Sequence, residues 1–324
     1  MFKTVYKVKS IKKTFNEIPT GFDNPKAKKF KLTELDTPPG TESPIVHHQG
    51  VESLDGNKNY LITGSTYDNP GYCLVIKNGK GHTLSNRKKY FDIDVAYTHP
   101  GGIQAAEHIL AVGNEQYRGP TTYPDRSNIK FYDISNDRTI RQLNHLEIVR
   151  DITTGYDNEP IASAVGITKH NDQWILAVRS KNTVDFYSLI GDPNDISKKF
   201  DLIGQLDKND YHFNDYQSIY LYFSARNKLY LFGMPRKTEN DDKCFLHTIK
   251  TTVRAGKIKS VDGARTIRIR HFKRNGNGPR FKYASCIEFI PEVPSTTVGK
   301  FKITSVEANI NNESIRCNSW EKKD

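Results

Sequence analysis

Residues 98–133 contain, in succession, Thr98-His-Pro-Gly-Gly-Ile-Gln104, Ile109-Leu-Ala-Val-Gly-Asn114 and Ile129-Lys-Phe-Tyr-Asp133. Each run is short, apolar or alternating, and bounded by small or polar residues, as in hairpin-linked strands. Within the first run a small residue precedes a bulky aliphatic, Gly102-Ile103. The same pairing recurs as Gly50-Val51, Gly166-Ile167, Ser218-Ile219 and Cys286-Ile287, at intervals of 52, 64, 52 and 68 residues around it.

Each pair is followed by a second apolar run: Tyr60-Leu-Ile-Thr-Gly-Ser65, Trp174-Ile-Leu-Ala-Val-Arg179, Leu229-Tyr-Leu-Phe-Gly-Met234 and Phe301-Lys-Ile-Thr-Ser-Val306 stand in the other units. A third run follows, such as Cys73-Leu-Val-Ile-Lys77, Val184-Asp-Phe-Tyr-Ser-Leu189 and Cys244-Phe-Leu-His-Thr-Ile249. Turn signals lie between them, including Asp55-Gly56-Asn57 and Arg226-Asn227-Lys228. Five such units define an all-β protein, a five-bladed β-propeller, as a single domain over 1–324. The blades are expected near 28–90, 91–155, 156–210, 211–275 and 276–324. One or two β-sandwiches are the alternative. In a propeller the small residue of each pair has a physical role, because the innermost strands crowd together at the hub.

The last unit supplies only three strands, over 283–290, 300–309 and 313–320. Its outermost strand must then come from the N-terminus, through residues 2–9 or 28–35, so that 1–27 is an extension or itself the closing strand. Such closure removes an exposed sheet edge. Pro19, Gly21 and Pro25 predict a loose connector before it. The pattern resembles five-bladed propellers, the architecture of certain lectins and of several glycoside-hydrolase clans. It lacks the WD dipeptide of one large propeller class and the double glycine of kelch units. The resemblance implies a ligand site at one mouth of the central channel, where the innermost strands begin.

The composition agrees with strands: 17 Tyr and 16 Phe accompany only 13 Ala and two Met in 324 residues. No apolar run approaches the roughly 20 residues a membrane-spanning helix needs. The start of the chain, Met1-Phe-Lys-Thr-Val-Tyr-Lys-Val-Lys-Ser10, lacks the apolar stretch and cleavage site of a secretory signal. A cytoplasmic location is the expectation, with non-classical secretion or prior loss of a signal as alternatives. Cys73, Cys244, Cys286 and Cys317 have no CxxC spacing and sit in apolar runs, which predicts buried thiols. A Cys286–Cys317 disulfide is the alternative.

The formal charge of +11 is concentrated in two segments, +7 within 1–31 and +9 within 254–282, so the rest of the chain is mildly acidic. The charge therefore argues for a local basic patch and not for a nucleic-acid-binding fold as a whole. Arg265-Thr-Ile-Arg-Ile-Arg-His-Phe-Lys-Arg274 alternates like a strand, and Arg268, Arg270, Lys273 and Arg274 are its candidate polyanion contacts. A solvated outer strand is the plainer reading.

At the predicted mouth, strand starts and ends bring together polar, aromatic and charged residues. His47, Gln49, Gln104, Arg179, Tyr216, Gln217, Arg236 and Tyr283 are the candidate ligand contacts, with aromatic faces for stacking and guanidinium groups for acids. His48, His99 and Glu115 are the candidate catalytic set, because a His–Glu pair across neighbouring blades can act as acid and base. The sequence requires no cofactor; His48, His99 and His212 form the candidate ligand set for a divalent metal. Glu52, Asp94, Asp151, Asp185 and Glu288 are further carboxylates of the kind glycosidases employ, and Glu52 and Glu288 point along the channel in this reading. The leading functional expectation is a propeller that binds a glycan or small polar or anionic ligand. A hydrolase or lyase on the same scaffold, and a protein docking polyanions through a basic rim, are the alternatives. The mouth residues differ from blade to blade, which favours one composite site over repeated ones.

Overall fold

The structure, a computed structural model, describes residues 3–21, 26–31, 47–54, 59–65, 71–77, 90–94, 97–116, 126–136, 140–151, 161–162, 164–236, 242–273, 279–292, 297–308 and 314–322. Among these the chain forms five sheets, antiparallel apart from one short N-terminal strand, the blades of a propeller. Blade 1 comprises β3 (His47–Leu54), β4 (Asn59–Ser65), β5 (Gly71–Lys77) and β6 (Tyr90–Asp94). Blade 2 holds β7 (His99–Ala106), β8 (Ile109–Glu115) and β9 (Arg126–Asp133), with β10 (Arg141–Gln142) and β11 (Ile148–Asp151) both pairing with β9. Blade 3 is β12 (Val165–His170), β13 (Gln173–Arg179), β14 (Thr183–Ile190) and β15 (Asp201–Asp207). Blade 4 is β16 (Tyr216–Ser224), β17 (Leu229–Pro235), β18 (Asp242–Arg254) and β19 (Lys257–Phe272). Blade 5 joins β20 (Ala284–Pro291), β21 (Gly299–Val306) and β22 (Ser314–Glu321) to β2 (Lys26–Lys31).

That last pairing closes the ring. β2 lies antiparallel to β22, with Phe30 opposite Ile315 and Lys26 opposite Ser319. Of the two segments expected to supply this strand, the later one does so, and the first described strand of blade 1 begins at His47. The earlier segment has a different part: β1 (Lys7–Val8) runs parallel to β16 at its far end, Lys7 opposite Phe223.

The hub is as crowded as the repeat predicts. A Cβ added at Gly102 would lie 2.5 Å from the Gln217 carbonyl, and one at Gly50 would lie 2.7 Å from that of Gly101. Strand faces between blades carry the core, for example the edge-on group of Tyr222, Phe232 and Phe301 with centroids 5.1–5.8 Å apart. Phe15 adds to it, 5.2 Å from Phe232.

Phe15 belongs to α1 (Ile11–Asn16), and here the expectation of a loose connector fails over 3–21. Val8, Ile11, Phe15 and Ile18 are buried in the main core. Their apolar spacing, not the later Pro19 and Gly21, decides the matter, because burying four such side chains outweighs the ordering of a short segment. The segment crosses the far end of the channel, where Lys3 bonds to Glu107 of blade 2. It then runs outward between blades 4 and 5.

All four cysteines are free and buried. Cys286 is opposite Thr304, while Cys317 is opposite Val306 on the other side of β21. Two strand spacings, about 9.5 Å, separate the flanking strands, so the alternative of a Cys286–Cys317 disulfide is excluded.

Candidate functional site

Innermost strands run from the mouth to the far end, so their first residues and the last residues of the second strands share one rim. His47 opposes Ser65, and His99 opposes Glu115, by register. Three of the five innermost strands carry a register shift there, at His48/Gly50, Pro100/Ile103 and Tyr216/Ser218. Such bulges re-aim side chains over a short distance.

The result is a hydrogen-bonded chain across the mouth. Gln217 of blade 4 donates its amide to Oε1 of Gln49 in blade 1 at 2.7 Å. Gln49 in turn places Nε2 3.0 Å from Nε2 of His99 in blade 2, and 2.7 Å from Nδ1 of His47. An amide nitrogen only donates, so His99 Nε2 accepts, which puts the ring proton on Nδ1. That nitrogen faces Glu115 Oε2 at 3.6 Å. The other Glu115 oxygen accepts the Ala162 backbone N–H at 3.1 Å, at the entry to blade 3. Hydrogen bonds thus join blades 4, 1 and 2, and separately blade 2 to the entry of blade 3, with the 3.6 Å His99–Glu115 contact between the two.

His47 sits beside it, its ring centroid 5.7 Å from that of His99. Burial, then the proximity of His99 and of the Arg236 guanidinium, lowers its pKa to about 3. His47 is therefore a neutral acceptor throughout the physiological range. Arg236 is exposed at the same rim, and Tyr283 is half-buried with the Lys282 ammonium 4.7 Å from its ring centroid. Arg179 is held at 3.0 Å by Asp215, which Lys208 also engages.

Other candidates are placed differently. His48 is buried in the seam with blade 5, where Nδ1 donates to the Glu307 carbonyl at 2.8 Å. Burial lowers its pKa. Gln104 lies inside the channel, donating to the Leu221 carbonyl at 3.2 Å and accepting the Ile167 and Leu221 amides at 2.8 and 2.9 Å. Its amide staples blades 2, 3 and 4 and is spent on that task. Tyr216 turns into its own blade, fully buried, with its hydroxyl 2.5 Å from His247 Nε2. His212 is exposed in the turn before blade 4, at φ 54°. Among the described residues no group of three or more His, Cys, Asp or Glu could hold a metal ion, so His48, His99 and His212 do not converge.

The side chain of Asp94 lies outside the described residues, and the other carboxylates are committed elsewhere. Asp185 is fully buried against Arg150 at 2.7 Å, and Asp151 pairs with Arg126 at 2.9 Å. Glu52 and Glu288 converge on Lys3 at the far end of the innermost strands. There Lys3 places its ammonium 2.8 Å from Glu52, 2.6 Å from the Ser53 carbonyl and 3.9 Å from Glu288. Burial opposes that charge, but the two carboxylates hold the Lys3 pKa above its usual range. Nothing in the spacing of the sequence signals Lys3; its part follows from the path of the N-terminal segment. Of the basic strand, Arg268 is exposed, whereas Arg270 donates to the carbonyls of Asn16 and Ile18 at the end of α1. Arg270 is thus a helix clamp and not a free rim cation. Lys273 is exposed, its backbone N–H bonded to Thr20, and Arg274 lies outside the described residues.

The class of protein is settled by this architecture: a five-bladed β-propeller with an asymmetric mouth. Among solved structures it is similar to a GH43 endo-arabinanase from Bacillus licheniformis, with a TM-score of 0.45 and 10% identity over 82% of this chain and 96% of that one. It is also similar to Bacteroides ovatus xyloglucan PUL GH43B, at 0.41 and 8% over 89% and 53%. The parainfluenza virus 5 hemagglutinin-neuraminidase ectodomain aligns at 0.40 and 7% over 95% and 74%. No protein-family model matches the sequence, and no curated protein does. No helix among the described residues is long and apolar enough to cross a membrane.

Proposed function

We propose that the protein is a binding propeller whose mouth holds one small polar ligand, a sugar or a small anionic metabolite, in a single composite site. The observation that supports this reading is the Gln217–Gln49–His99–Glu115 chain, which joins unlike residues from three blades and pre-orients them. Pre-orientation lowers the ordering cost of binding. Neutral His47 and anionic Glu115 suit hydroxyl donors, and the Arg236 guanidinium suits an acidic substituent.

A hydrolase or lyase is the second reading, favoured by the His99–Glu115 pair. Against it, both ring nitrogens of His99 are engaged, Nε2 by Gln49, so a substrate proton would have to displace that amide first. Titration calorimetry against a panel of neutral and uronic oligosaccharides tests the proposal. His99→Ala and Glu115→Gln should each weaken the best ligand at least tenfold without lowering the melting temperature appreciably. Wild-type affinity in both variants, or no ligand in the panel, would overturn it.

A further inference from the structure

The outer hairpin of blade 4 is longer than any other among the described residues: β18 has 13 residues and β19 has 16. Its lower half has one covered face. Val253 opposes Ile258, Thr251 opposes Val261 and Ile249 opposes Ala264, and Ile249, Ile258 and Val261 are buried in the core shared with blade 3. Alternation sends the intervening residues to the other face. These are Thr248 opposite Arg265, Lys250, Thr252 opposite Ser260, and Arg254 opposite Lys257; one step further along, Arg268 opposes Leu246.

Lys250, Arg254, Arg265 and Arg268 are all exposed on that face. Among the described residues none of the four has a side-chain hydrogen bond or ion pair. The one acid in β19, Asp262, is occupied by the hydroxyls of Thr252 at 2.7 Å and Ser260 at 2.6 Å. Strand geometry spaces the cations at one step of about 7 Å or two steps of about 14 Å over roughly 27 Å. A row of exposed cations, of which Lys250 also lies within electrostatic reach of the Asp262 carboxylate, fits a linear chain of recurring anionic groups. Along the described residues of the hairpin this face presents ammonium and guanidinium groups and no run of aromatic rings on which successive bases could stack, the half-buried Tyr230 beside Thr248 being packed against the core, which favours a polysaccharide over a single-stranded nucleic acid.

We propose that this face is a docking surface for an acidic polysaccharide, separate from the mouth and formed by Lys250, Arg254, Arg265 and Arg268. It replaces the rim expected around Arg270, whose guanidinium is turned inward onto α1.

Heparin-affinity chromatography and anisotropy with a labelled heparin oligosaccharide test it, beside an oligothymidylate of equal length in charges. Arg265→Glu combined with Arg268→Glu should elute at markedly lower salt and bind the heparin fragment at least tenfold more weakly. Lys199→Glu combined with Arg226→Glu makes the same change in net charge on exposed residues elsewhere and should retain most of the affinity. Equal loss in both pairs would reduce the effect to net charge and overturn the site. So would unchanged elution of the Arg265/Arg268 variant. Tighter binding of oligothymidylate than of heparin, lost in the same variant, would overturn the choice of polysaccharide.

Discussion

Lys3 Nζ lies 2.8 Å from Glu52 Oε1 at the end of the channel remote from His99, joining the third residue of the chain to the innermost strand of blade 1. Glu52 is fully buried, and burial pushes its pKa up to about 7 against the pull of Lys3. Replacing Lys3 by Met leaves that carboxylate without its cation. Unfolding in denaturant at pH 8 should show a loss of about 3–5 kcal/mol. At pH 5 the loss should be smaller, because a protonated Glu52 needs no partner.

Half-buried His47 and buried His247 impose the opposite dependence on acid. His47 and His247 are each lowered to about 3, chiefly by burial, from an ordinary value of 6.5. Below pH 6.5 the unfolded chain takes up protons that the folded chain refuses, so each group's contribution is complete above 6.5 and lost as pH falls toward 3. The slope is about 1.4 kcal/mol per pH unit per proton. Stability measured from pH 6 to 4 should therefore fall, and His47→Asn should reduce the slope by about one proton.

Gly102→Ala tests the hub. The new methyl would sit 2.5 Å from the Gln217 carbonyl and 3.3 Å from the Ser218 Cα, both backbone atoms of the facing blade. Overpacking of this kind costs about 1–3 kcal/mol. The same shift should disturb Gln217, so weaker ligand binding at the mouth should accompany the lower melting temperature.

Arg270→Ala should release α1. It removes both guanidinium bonds to Asn16 and Ile18, and the carbonyls left behind turn to solvent. Hydrogen exchange at the Lys273 amide, bonded to Thr20, should accelerate while exchange in β13 stays slow.

Native protein should show no rapid reaction with a thiol reagent, and all four cysteines should react once it is unfolded in the absence of reductant. Fewer than four would indicate a disulfide that the strand order forbids.

Five units, their strand character, the small residues at the hub and the origin of the closing strand were legible in the residues themselves. Those features rest on local alternation and on a recurring packing constraint, and both leave marks along the chain. Gly50 and Gly102 stand where a side chain has no room, and the three-stranded last unit requires a partner from the start of the chain. The assembly of the mouth was legible only in part. His99, Glu115, Gln49 and Gln217 do meet, but Tyr216, Gln104 and His48, read from the same strand starts, are buried in other roles.

The difference arises at the register shifts near His48, Pro100 and Tyr216, where one extra residue sends a side chain to the opposite face. Local pattern alone cannot place such a bulge, since it depends on how the neighbouring strand and blade pack. Likewise the N-terminal segment, read as a loose connector, is buried through Val8, Ile11, Phe15 and Ile18 against strands far along the chain. The amino-acid sequence by itself determined a ring of five β-sheets closed by its own N-terminal part. Tertiary structure decided which side chains face the mouth, that Lys3 seals the far end, and that Arg270 clamps a helix, because each depends on contacts between segments far apart in the chain.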